Sequence, residues 1–98
     1  MKFIILGQFE GIKQDDDWVQ FMGNNHEQAS AKCDDLGIVI ENVYVTISGP
    51  CQFVVVMECP SAESMLSFQG WYNKQGRGSF EAIACFDLET ALGALEKS

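Results

Sequence analysis

The sequence is poor in positive charge. Six basic side chains (Lys2, Lys13, Lys32, Lys74, Arg77 and Lys97) stand against 14 acidic ones in 98 residues, giving a net charge of -8. They are scattered rather than grouped, so the chain repels phosphate backbones and nucleic acid is excluded as a partner. Long apolar runs are missing as well. Stretches such as Phe53 to Met57 stop at five residues, where a membrane-spanning helix needs about 18 or more. The opening Met1-Lys2-Phe3-Ile4-Ile5-Leu6 is too briefly apolar for a signal peptide and runs into Gln8 and Glu10. No membrane association and a cytoplasmic location are therefore expected. The four cysteines, Cys33, Cys51, Cys59 and Cys85, form no C-x-x-C pair, and His26 is the single histidine. Free buried thiols and no metal site are expected in a reducing compartment. Proline is scarce, at two, while 47% of residues are hydrophobic, which excludes disorder. What remains is one domain, residues 1–98, an acidic chain whose excess carboxylates serve solubility.

The pattern along the chain is that of short strands and capped helices. Lys2 to Glu10 alternates, with Phe3, Ile5, Gly7 and Phe9 opposite Ile4, Leu6 and Gln8, which predicts a strand. A polar loop from Gly11 to Asp16 follows, and Asp17 caps a helix whose apolar stripe runs Trp18, Met22, Ala29, Cys33 and Leu36. Gly37 supplies the stop. Asn25 interrupts the stripe, and the weak helix formers Gly23-Asn24-Asn25 predict a kink or break there. The triad Asp15-Asp16-Asp17 reads as capping and dipole chemistry rather than a metal site. Ile38 to Ile47 and Gln52 to Cys59 flank Ser48-Gly49-Pro50 and read as a hairpin. Ser61 opens a second helix with an expected inner stripe of Ala62, Met65, Leu66, Gln69 and Tyr72, ended by Gly76-Arg77-Gly78. Ser79 to Phe86 alternates as a fourth strand. Asp87 then caps a final helix with Leu88, Ala91, Leu92 and Leu95 on one side.

The order βαββαβ plus a terminal helix predicts an α+β, ferredoxin-like sandwich: a four-stranded antiparallel sheet with helices on one face and a C-terminal helix. A sheet with one solvated face should alternate apolar and polar residues. Here Phe53, Val55 and Met57 stand opposite Val54 and Val56, and Val43, Val45 and Ile47 opposite Ile38, Ile40 and Tyr44. The uncovered face would then be a large apolar patch. A second copy is the expected cover, giving a homodimer through the sheet.

In its length, its βαββαβ order, the start Met1-Lys2-Phe3-Ile4-Ile5, the doubly apolar hairpin and the capped C-terminal helix, the chain resembles the dimeric α+β barrel superfamily, among its small uncharacterised bacterial families. That resemblance implies a site in the cleft between sheet and helices. It includes cofactor-independent monooxygenases and isomerases acting on aromatic or lactone substrates, and it transfers no catalytic residue onto this chain.

Five residues are candidates for ligand binding in such a cleft. His26 is either a proton-transfer group or a structural histidine. Trp71, Tyr72 and Arg77 form either an aromatic wall with a cation, suited to an anionic ring compound, or ordinary packing and a solvated loop. Tyr44, with Asn42 and Gln8, interrupts an apolar face and either lines a cavity or marks a strand end. The expectation is a protein binding a small, partly apolar metabolite without a cofactor. An oxygenase or isomerase, or a structural or regulatory interaction module, is the alternative.

Overall fold

The computed structural model describes residues 1–10, 12 and 17–98. The chain runs β1 (Lys2–Phe9), α1 (Trp18–Leu36), β2 (Val39–Val45), β3 (Phe53–Glu58), α2 (Ala62–Gln75), β4 (Gly78–Cys85) and α3 (Leu88–Glu96). The loop expected before α1 lies mostly outside the described residues, as do Asp15 and Asp16 of the acidic triad.

The helix ends follow from local chemistry. Asp17 Oδ1 accepts the Gln20 N–H at 3.0 Å, and Gly37 closes α1 with a left-handed backbone at φ 72° that a side chain would disfavour. At α2 the cap is reciprocal: Ser61 Oγ accepts the Ser64 N–H at 3.2 Å, and Ser64 Oγ accepts the Ser61 N–H at 3.3 Å. Asp87 accepts the Thr90 N–H at 2.8 Å and starts α3. The break expected at Gly23-Asn24-Asn25 does not occur, and α1 is one continuous helix. Its neighbours override weak propensity, because Met22, Ala29 and Cys33 on the same stripe pack inward around the interruption.

The sheet is antiparallel throughout, in the order β2-β3-β1-β4. β1 and β2 are parallel with β3 between them, and β3 and β4 are parallel with β1 between them. Each βαβ unit is therefore split by a strand of the other. The core lies on one sheet face, where Phe3, Ile5, Phe53, Val55, Met57 and Phe80 meet Cys33 of α1 and Met65, Phe68 and Tyr72 of α2.

Two expectations about faces are corrected. A register shift between Ile40 and Asn42 inserts one extra residue in β2. The shift puts Ile38 and Ile40 on the same side as Val43 and Val45, not opposite them, and leaves Asn42 and Tyr44 on the other. Ile47 lies beyond the strand, fully exposed. In α2 the inward stripe is Met65, Phe68 and Tyr72, while Leu66 faces out. Phe68 wins because the sheet offers it the ring of Phe80 at 5.6 Å between centroids, beside Tyr72 on the same helix at 6.1 Å.

Candidate functional site

Gly7 makes room for a site on the covered face. It pairs with Phe53 on one side and Phe80 on the other, and the Phe53 ring lies so close over it that even a methyl group there would collide with the ring. Phe9 packs at 4.9 Å from Phe53, and Tyr72 at 5.5 Å from Phe80. These rings do not fill the space below the helices. They leave a cavity of about 180 Å³ between the sheet, α1 and α2.

Its walls are Ile5, Val43, Val45, Val55, Met22 and Met57 together with the rings, and its polar groups are Asn25, His26 and Tyr72. No carboxylate among the described residues lines it. The Tyr72 hydroxyl donates to Asn25 Oδ1 at 3.1 Å, tying α2 to α1 across the cavity. Burial pushes the Tyr72 hydroxyl above its ordinary value, against the smaller opposing pulls of Asn25 and the Arg77 charge, so it stays a neutral hydroxyl near pH 7. Such a wall accepts apolar surface, with one hydrogen-bonding cluster to orient it.

Of the five residues singled out in the sequence, the fold brings two together here, His26 and Tyr72. His26 is exposed at the rim. Tyr44 stands on the opposite sheet face, 55% exposed, because the shift in β2 turns it away from the helices. Trp71 packs on Phe68 at 5.9 Å and lines no part of the cavity. Arg77 is also outside it. Its backbone oxygen accepts the Glu10 N–H at 2.9 Å, and its Nε and Nη2 are buried without a hydrogen-bond partner among the described residues. The anionic ligand expected from Arg77 therefore loses its cation.

Asn25 was legible as an interruption of the α1 stripe, and that interruption was the signal of a polar group facing the cavity. Phe9, Phe53 and Phe80 gave no such signal, since an inward phenylalanine is ordinary core. All four cysteines are free. Burial pushes the Cys33 thiol up to about 12, which leaves it an inert neutral group. No group of His, Cys, Asp and Glu among the described residues is arranged to hold a metal, and no helix among them is long and apolar enough to cross a membrane. Compared with known proteins, the chain matches no family model, no curated protein and no solved structure.

Proposed function

We propose that this chain is a ferredoxin-like domain of the dimeric α+β barrel kind, and that it binds a small, neutral, mostly apolar metabolite in the cavity between its sheet and helices. The observation that carries the reading is the cavity itself: about 180 Å³, walled by apolar side chains, with the Asn25–Tyr72 pair across it. A dry apolar cavity of about 150 Å³ accommodates benzene, so a space of about 180 Å³ suits a single six-membered ring with one or two substituents. The polar pair favours a hydroxyl or carbonyl on that ring. A carboxylate would enter with no Lys or Arg among the described lining residues, and would be disfavoured.

Binding is preferred to turnover because the described residues bring no carboxylate to the cavity and the Tyr72 hydroxyl is already committed to Asn25. The working form is a homodimer joined through the open sheet face. That face has Ile4, Leu6, Val54, Val56 and Ile83 at its centre, as follows from the pairing Ile4↔Val56, Ile4↔Ile83 and Leu6↔Val54. Around them lie Lys2 and Glu41, paired at 3.3 Å, and Gln8, Ser79 and Glu81. An apolar centre within a polar rim is the anatomy of a protein interface.

A ligand ladder tests the binding reading by thermal unfolding. Benzyl alcohol at about five times its dissociation constant is expected to raise Tm by about 5 °C. Benzoate at the same concentration is expected to leave Tm unchanged, and 2-naphthol to act more weakly than benzyl alcohol. Equal shifts from benzoate, or none from any ring, would overturn the reading.

A further inference from the structure

The cavity between the sheet and the helices is deep on one side and open on the other. Ile5 and Val55, on its floor, are 1% and 7% exposed. Val43 and Val45, on the same covered side of the sheet, are 44% and 60% exposed. The mouth therefore lies along β2, an edge strand of the sheet, where cover from the helices is thinnest.

A groove continues from that mouth. About 470 Å³ in volume, it runs between α1 and β2 and shares His26, Ile40 and Val43 with the cavity. Its floor is apolar, made of Ile38, Ile40 and Val43. Its α1 wall is polar, because His26, Ser30 and Asp34 stand four residues apart and so lie in one row along the helix. At about 1.5 Å per residue that row is about 12 Å long.

The two spaces ask for different chemistry in one molecule. A ring gains by leaving water for the cavity, while a chain in the groove can lay its methylenes on Ile40 and Val43 and still present a polar end to Ser30. Among the described residues no Lys or Arg lines either space. Glu41, also at the groove, is held by Lys2 at 3.3 Å, which leaves the Asp34 carboxylate to repel an anionic end.

We infer that the ligand is an arylalkanol: one ring seated in the cavity, with an uncharged, hydroxyl-ended chain of four carbons leaving past His26 and lying along the groove between α1 and β2. The helix sets the chain length. Ser30 is about 6 Å beyond His26 along α1, and the five bonds from ring to hydroxyl oxygen span about 1.2 Å each when extended. The inference deepens the binding reading above and rests on it.

Titration calorimetry with benzyl alcohol, 2-phenylethanol and 4-phenyl-1-butanol tests it. Burying one methylene is worth about fourfold in affinity, so the dissociation constant is expected to fall at each step, with 4-phenyl-1-butanol at least about tenfold tighter than benzyl alcohol. 4-Phenylbutyrate, with an anionic end on a chain of similar length, is expected to bind about threefold or more weakly than 4-phenyl-1-butanol, and Asp34→Asn to narrow that gap. Ser30→Trp plugs the groove and is expected to abolish the gain with chain length. An affinity that peaks at benzyl alcohol means a closed cavity, which overturns the outlet and leaves the ring reading standing. A gain that survives Ser30→Trp puts the chain elsewhere and also overturns it. 4-Phenylbutyrate binding as tightly as the alcohol overturns the uncharged end. If benzyl alcohol itself does not bind, the ring reading falls and this inference falls with it.

Discussion

The two faces of one sheet are drawn from alternate residues of the same four strands, and they solve different problems. The covered face carries four rings, Phe3, Phe9, Phe53 and Phe80, among aliphatic side chains such as Ile5, Val55 and Met57, and is joined by Phe68 and Tyr72 from α2. The open face is aliphatic, with Ile4, Leu6, Val54, Val56 and Ile83 inside a polar border. Rigid rings bridge wide gaps and leave space between them, so a face made of them encloses a cavity. Aliphatic side chains on a pleated surface make an even patch, suited to being laid against another surface. The comparison teaches that hydrophobicity alone does not separate the covered face from the open one, whereas the share of rings does.

The comparison is broken most sharply by charging neighbouring residues. Val55 points to the core and Val54 to the open face. Val55→Asp buries an unpaired carboxylate among apolar side chains and is expected to cost about 3–5 kcal/mol, enough to unfold much of the population in urea titrations. Val54→Asp is expected to leave the chain folded and to abolish the proposed dimer. If the two substitutions exchange these effects, the faces are reversed.

A smaller effect separates ring packing from aliphatic packing. Gly7→Ala pushes the Phe53 ring off β1 and into the cavity, with an expected cost of about 1–3 kcal/mol and loss of ring-compound binding. An unchanged affinity for benzyl alcohol in this variant would mean that the Phe53 ring does not shape the cavity.

The sequence showed the elements plainly because their signals are local. Asp17, Ser61 and Asp87 cap helices through bonds within three residues, and Gly37 ends one with a backbone only glycine adopts easily. What it hid depends on pairing between distant residues. The extra residue between Ile40 and Asn42 is visible only against β3, and with it went the placement of Tyr44. Phe68 in place of Leu66 on the inner side of α2 follows from rings on β4. His26 and Tyr72 reach the same cavity because both helices meet one sheet face, whereas Trp71 packs on Phe68 and Arg77 lies outside the lining.

The remaining effect is alkaline and appears only gradually with pH. Burial raises the thiols of Cys33 and Cys59 and the hydroxyl of Tyr72 above their ordinary values, Cys33 from 9.0 to about 12. Between those limits the unfolded chain releases protons that the folded chain keeps. Stability is therefore flat below pH 9 and falls as pH rises toward 12, by at most about 1.4 kcal/mol per pH unit for each group. Urea midpoints measured across that range check the slope, and Cys33→Ala is expected to make it shallower.

The most direct measurement of the central claim uses the four methionines as reporters. Met22 and Met57 line the cavity, Met65 is core away from it, and Met1 is at the exposed start of the chain. In methyl spectra of protein labelled at methionine, titration with benzyl alcohol is expected to shift the Met22 and Met57 resonances along one saturable curve by ring-current effects, while Met65 and Met1 stay in place. Shifts at Met1 or Met65 of the same size, or no movement at Met22 and Met57, would contradict binding between the sheet and its helices.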